Sequence, residues 1–116
     1  MNEMERFSLF KSECEKWIDK LMMHDYLFDF VVVDDLEDAC AAMSYNILAH
    51  HAYVQLDSEE DDEERIKDSA LHEVIEALLM PMKLQAINSA DTMSPEVQRE
   101  THAVIHRLMK ILRGER

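Results

Sequence analysis

His72 and Glu76 stand four residues apart in Ser69-Ala70-Leu71-His72-Glu73-Val74-Ile75-Glu76-Ala77-Leu78-Leu79. On a helix, that spacing puts both side chains on one face, one turn apart. An imidazole and a carboxylate so placed can share a divalent cation. With His72 as origin and about 100° per residue, Leu71, Val74, Ile75 and Leu78 gather at about 200–300°. On the same wheel Glu76 falls at about 40° and Glu73 at about 100°. The His/Glu pair is therefore expected at the margin of an apolar stripe, with Glu73 pointing further round beside it.

His72-Glu73-Val74-Ile75-Glu76 is one residue away from the zinc-hydrolase pattern His-Glu-x-x-His. In that pattern two helix side chains hold the ion and the intervening Glu activates a water. Here a carboxylate replaces the second imidazole, a harder ligand that still binds zinc but adds a negative charge. The pentapeptide alone is a weak signal, and a solvated helix shoulder in an acidic chain produces it equally well. Two further histidines, His102 and His106, are again four apart, with Glu100 beside them. Histidines at such positions are more often satisfied core or surface residues than ligands. If their helix packs against the His72 helix, Glu100, His102 or His106 supplies a third ligand.

These residues need elements to hold them. A chain of 116 residues with 47% hydrophobic content is one domain with a modest core, and one Gly and two Pro leave little turn material, so helices should dominate. From Glu3 to Met23, Phe7, Phe10, Cys14, Trp17, Ile18 and Leu21 recur at helical spacing as a core-facing stripe, closed by His24-Asp25. Tyr26 to Asp34 is aromatic and β-branched and reads as a strand. The acids from Asp34 to Asp38 read as a solvated turn. Ala39 to Asp57 reads as one or two antiparallel strands, a hairpin turning near Ala49-His50-His51.

The acidic run Ser58 to Glu64 suits a helix start, with Ser58 or Asp61 as cap. The His72 helix should run to about Met80 and kink or stop at Pro81, which lacks the amide to bond Ala77. Lys83 to Ala90 is a weak helical continuation. Ser94-Pro95-Glu96 then opens a last helix whose stripe is Val97, Thr101, Val104, Leu108 and Ile111, widened by Ile105 and Leu112 and ended by Gly114. His102 shares a face with Ile105 and Met109 and so borders that stripe. The expected architecture is α+β: three main helices packed on a short antiparallel sheet.

Composition narrows the function. A formal net charge of −13 argues against direct nucleic-acid binding, which depends on Lys and Arg. No apolar run approaches the roughly 20 residues of a membrane span, and the charged start from Met1 to Lys11 is unlike a signal peptide, so a cytoplasmic protein is expected. Cys14 and Cys40 show no redox or metal spacing and read as reduced, buried thiols. A di-iron bundle would need Glu-x-x-His pairs on two helices, and Glu73 is followed at that spacing by Glu76.

The helix with its Trp, the strands ending in Ala52-Tyr53-Val54-Gln55-Leu56, the segment Leu71 to Met82 and the closing Arg99 to Leu108 together resemble the small metallopeptidases encoded by bacteriophages and prophages, which look like minimal zincins. The resemblance spans roughly Trp17 to Leu112. It implies a zincin-like domain binding zinc, with His72 a ligand, Glu76 where the second His normally sits, and His102, or Glu100 just before it, as the third ligand. Glu73 would be the general base, and a peptide or protein the substrate. It equally admits a member that retains the fold without catalysis. The alternative from another class is an acidic phage accessory protein that binds a host nucleic-acid-binding protein by mimicking nucleic acid, with an affinity that collapses in high salt.

Overall fold

In the computed structural model the described residues are 1–34, 36, 39–46, 48–90 and 95–114, with side chains described for all of these except 85–90 and 96–97. The element order is α1 (Glu3–Lys20), β1 (Leu27–Val33), β2 (Ala41–Asn46), β3 (His51–Asp57), α2 (Glu63–Ala90) and α3 (Pro95–Leu112). Three helices and a three-stranded sheet make this an α+β domain.

α1 begins where the Asn2 side chain accepts the Glu5 amide at 2.8 Å, satisfying one of the helix's free N–H groups. It buries Phe10, Cys14 and Trp17, the centre of the expected stripe. Its end is a reverse turn in which Met22 takes a φ of +57°. There Met22 N–H donates to Asp19 O and Met23 N–H to Ile18 O, which caps the last carbonyls. His24 folds back to within 3.4 Å of Asp19.

The sheet order is β1-β3-β2. β2 and β3 form the expected hairpin, antiparallel with Ala41 opposite Leu56 and Asn46 opposite His51. β1, however, runs parallel to β3, Leu27 opposite His51 and Val33 opposite Asp57, so the sheet is mixed rather than antiparallel. After β1 the chain passes across the end of β3 before returning as β2. That passage is tied by Ser58 N–H to Val33 O, Asp57 N–H to Cys40 O, and the Leu36 amide to Asp57 Oδ2. β3 is thus central and buries Ala52, Val54 and Leu56 on one face. β1 and β2 are the edges.

α2 crosses between α1, β2 and α3. Its cap is Asp62, whose Oδ1 accepts the Glu64 and Arg65 amides, rather than Ser58 or Asp61. Ser58 instead donates to Asp34 Oδ1 at 2.6 Å. Ile66, Ala70, Leu71, Val74, Ile75 and Ala77 are buried, and each large aliphatic among them contributes about 1.5–3 kcal/mol relative to exposure. The helix does not stop at Pro81 but continues to Ala90. Pro81 removes one hydrogen bond and crowds the preceding turn, at a cost of about 3 kcal/mol in a helix interior, and the helical residues on both sides carry it. α3 docks through Ile105 and Met109, with Leu108 and Leu112 partly buried beside them. Val104 and Ile111 are exposed, so the core-facing stripe lies one step round from the expected one. Ser94 and the side chain of Val97 lie outside the described residues.

Cys14 and Cys40 are free and buried. Burial pushes both thiols up from their ordinary range, and the Glu73 carboxylate adds to the effect at Cys14. Among the described residues no helix is long and apolar enough to cross a membrane.

Candidate metal centre

The core contacts of α2 and α3 bring the middle of one helix against the middle of the other. Ile105 and Met109 face inward on α3, and His102 and His106, three residues N-terminal to each, stand on the same side of the helix. On α2, His72 follows the buried Leu71 and is itself half-buried. The ring of His72 lies 6.0 Å from that of His102 and 6.0 Å from that of His106, centroid to centroid.

One ligand nitrogen from each of His72, His102 and His106 lies within 4.8 Å of the other two. A tetrahedral ion with nitrogen ligands at 2.0–2.1 Å needs them about 3.4 Å apart. The rings must therefore draw together by at most about 1.4 Å, which exposed His102 and His106 can do by small side-chain rotations. Three imidazoles suit a divalent first-row transition ion and leave room for a further ligand.

A second group shares His72. Its Nδ1 is 3.6 Å from Glu73 Oε1 and 3.8 Å from Glu76 Oε2, and ligand atoms of these three also lie within 4.8 Å of one another. Of the residues singled out by the sequence, His72 is common to both groups. Glu73 and Glu76 join it on one side, His102 and His106 on the other. Glu76 and His102 do not share a group among the described residues, and exposed Glu100 belongs to neither.

The two carboxylates differ in setting. Glu73 retains 6% of its surface and is the one buried charged residue among those described. The wheel sets it well off the apolar stripe, but α2 is covered on more than one side, so an angle from one stripe does not measure burial. Burial pushes the Glu73 carboxyl up, Glu76 adds to that, and His72 opposes it. The neighbouring Glu73 carboxylate in turn raises His72 above an ordinary imidazole, against the effect of its partial burial. Glu76 is more open and pairs with Lys83 at 3.5 Å.

Beside this cluster is a cleft of 300 Å³ lined by Met43, Ser44 and Tyr45 of β2, Glu76, Met80 and Lys83 of α2, and Gln98 and His102 of α3. β2 is an edge strand, so one side of its backbone is unpaired within the sheet. The other histidines are engaged elsewhere. His50, at φ +48° in the hairpin turn, bonds the Tyr45 hydroxyl at 3.0 Å, and His51 bonds Asp29 at 2.7 Å.

Fold and site together define a small α+β domain carrying a histidine–carboxylate cluster able to hold a metal ion. Compared with models of protein families, with characterised proteins and with solved structures, the chain shows no match to any.

Proposed function

We propose that the protein is a zinc-dependent peptidase whose ion is carried by His72, His102 and His106. The observation that supports this reading is the convergence of three imidazoles from two helices at a cleft bounded by an edge strand. The donor set fits zinc: three nitrogens within a small adjustment of tetrahedral spacing, with no fourth ligand grouped with them among the described residues. Bound there, the ion supplies Lewis acidity towards a carbonyl and lowers the pKa of water. The chain supplies the rest. The β2 edge can pair with an extended peptide backbone, and the cleft beside it can take a side chain of that peptide. Of the two carboxylates next to His72, Glu76 is the one that lines the cleft. His102 belongs to both the cluster and the cleft, so an ion held by the cluster would lie beside the cleft.

Metal content per chain, measured by elemental mass spectrometry on untagged protein and on His72→Ala, tests the reading, with hydrolysis of an unstructured protein such as casein as the second readout. The expected result is near-stoichiometric zinc, lost in the variant, and hydrolysis abolished by a chelator. Wild-type protein that takes up no zinc when zinc is supplied overturns it.

A further inference from the structure

We propose that the protein forms a two-fold dimer in which β1 of one copy pairs antiparallel with β1 of a second, joining the two sheets into one of six strands. β1 is the sheet edge opposite β2, so this association is independent of the metal cluster and of the cleft beside it. The direction of its backbone groups follows from its two ends. Leu27 N–H donates to His50 O, and Val33 O accepts from Ser58 N–H, both on the β3 side. Backbone groups alternate sides along a strand, so Phe28, Phe30 and Val32 turn their N–H and C=O to the free edge. The strand has none of the features that guard an exposed edge: it contains no Lys and no Pro, and its register with β3 is unbroken from Leu27 to Val33. Its one charged side chain, Asp29, is engaged by His51 at 2.7 Å.

The side chains beside that edge fit a second copy. An open groove of 460 Å³ is lined by Phe28 and Phe30 of β1 and by Phe7, Lys11, Glu15 and Ile18 of α1. α1 packs mainly against α2 and touches β1 little, which leaves Phe28 and Phe30, their rings stacked at 6.0 Å, only half-buried. Lys11 and Glu15 are exposed, one helical turn apart, and enter no ion pair among the described residues. A two-fold axis beside β1 reverses the direction of α1 in the second copy, so that Lys11 of each copy is matched with Glu15 of the other. With Phe30 at the axis, all three outward residues find partners: Phe28 with Val32, Phe30 with its own counterpart, and Val32 with Phe28. Pairs of this kind exchange both backbone hydrogen bonds. Asp29 then falls opposite Val31 rather than opposite a second Asp29, so no like charges meet across the strands.

Sedimentation equilibrium of the untagged chain tests this, at about 0.15 M salt to screen the −13 charge of each copy. Wild type is expected to reach twice its 13.6 kDa as concentration rises. Lys11→Glu sets like charges across the axis and is expected to weaken the dimer about tenfold. Adding Glu15→Lys to Lys11→Glu restores opposite charges and is expected to bring the affinity back to within about threefold of wild type. Both positions are exposed, so these variants keep the fold. Val32→Pro removes an outward N–H and no bond to β3, and is expected to be monomeric with an unchanged circular dichroism spectrum. If it unfolds instead, the charge variants decide. Wild type that stays monomeric up to about 1 mM overturns the proposal, whether another partner covers the edge or none does. So does a dimer indifferent to Lys11→Glu, one that the added Glu15→Lys fails to restore, or one that persists undiminished in folded Val32→Pro.

Discussion

The rings of His72 on α2 and His106 on α3 face each other at a tilt of 58°. They belong to two different helices, so their meeting depends on how α3 docks. An ion bound between them would tie α3 to α2. Ligand that binds only the folded state stabilises it by mass action, by about 2.7 kcal/mol at a hundred times its dissociation constant. Free zinc at that level is expected to raise the unfolding midpoint of wild type in urea accordingly. His106→Ala is expected to lose most of the shift, and His51→Ala to keep it. Equal shifts in all three proteins would mean that zinc binds elsewhere.

The docking of α3 hangs on few residues. Ile105 is 1% exposed and Ile111 70% exposed. Ile105→Ala is expected to cost about 2–5 kcal/mol, by lost transfer energy and the cavity it leaves. Ile111→Ala is expected to stay within about 0.5 kcal/mol. Urea titrations of the two variants check this, and similar losses would put the core-facing side of α3 elsewhere.

What could be read from sequence was local. The α1 stripe and the β2–β3 hairpin follow from residues close together in the chain, with Phe10, Cys14 and Trp17 on one helical face and Val54 and Leu56 alternating with Tyr53 and Gln55. The parallel pairing of β1 with β3 leaves no local mark, because Leu27 and His51 meet only after β2 has been passed over. On α3, two adjacent apolar sides compete. Val104 and Ile111 look as good in periodicity as Ile105 and Met109, and the position of α2 decides between them. The burial of Glu73 was hidden for the same reason, since only tertiary packing shows that α2 is enclosed beyond its main stripe. The i,i+4 spacing of His102 and His106 puts both on one side of α3, the side whose rings come near His72. Their joint approach to one point needed the helix pairing.

The turn after α1 offers a stability test. Met22 sits at φ +57° with 81% of its surface exposed, so it has backbone strain and little packing. A non-glycine residue there costs about 1–2 kcal/mol, and glycine returns part of the gain through a looser unfolded chain, about 0.5–1 kcal/mol. Met22→Gly is therefore expected to stabilise the fold by up to about 1 kcal/mol, with Met22→Ala giving no such gain. A destabilised glycine variant in thermal unfolding would contradict this account of the turn.

Asp57 links the fold to pH. Its Oδ1 accepts the Glu59 amide at 2.8 Å and its Oδ2 the Leu36 amide at 3.0 Å, and these backbone donors hold its carboxyl below the ordinary value. A carboxyl whose folded-state pKa is depressed contributes stability above its unfolded-state value of about 3.9, and that contribution disappears as pH falls through the folded-state value. The loss should fall on the crossing where the chain leaves β1 and passes the end of β3, because Leu36 lies in that segment and Asp57 closes β3. Asp57→Asn keeps an acceptor but cannot ionise. Its stability at neutral pH is expected to be lower than wild type, and the two proteins should converge as the pH is taken from about 5 towards 2. Parallel acid limbs in wild type and variant would show that the two amides do not favour the charged carboxylate.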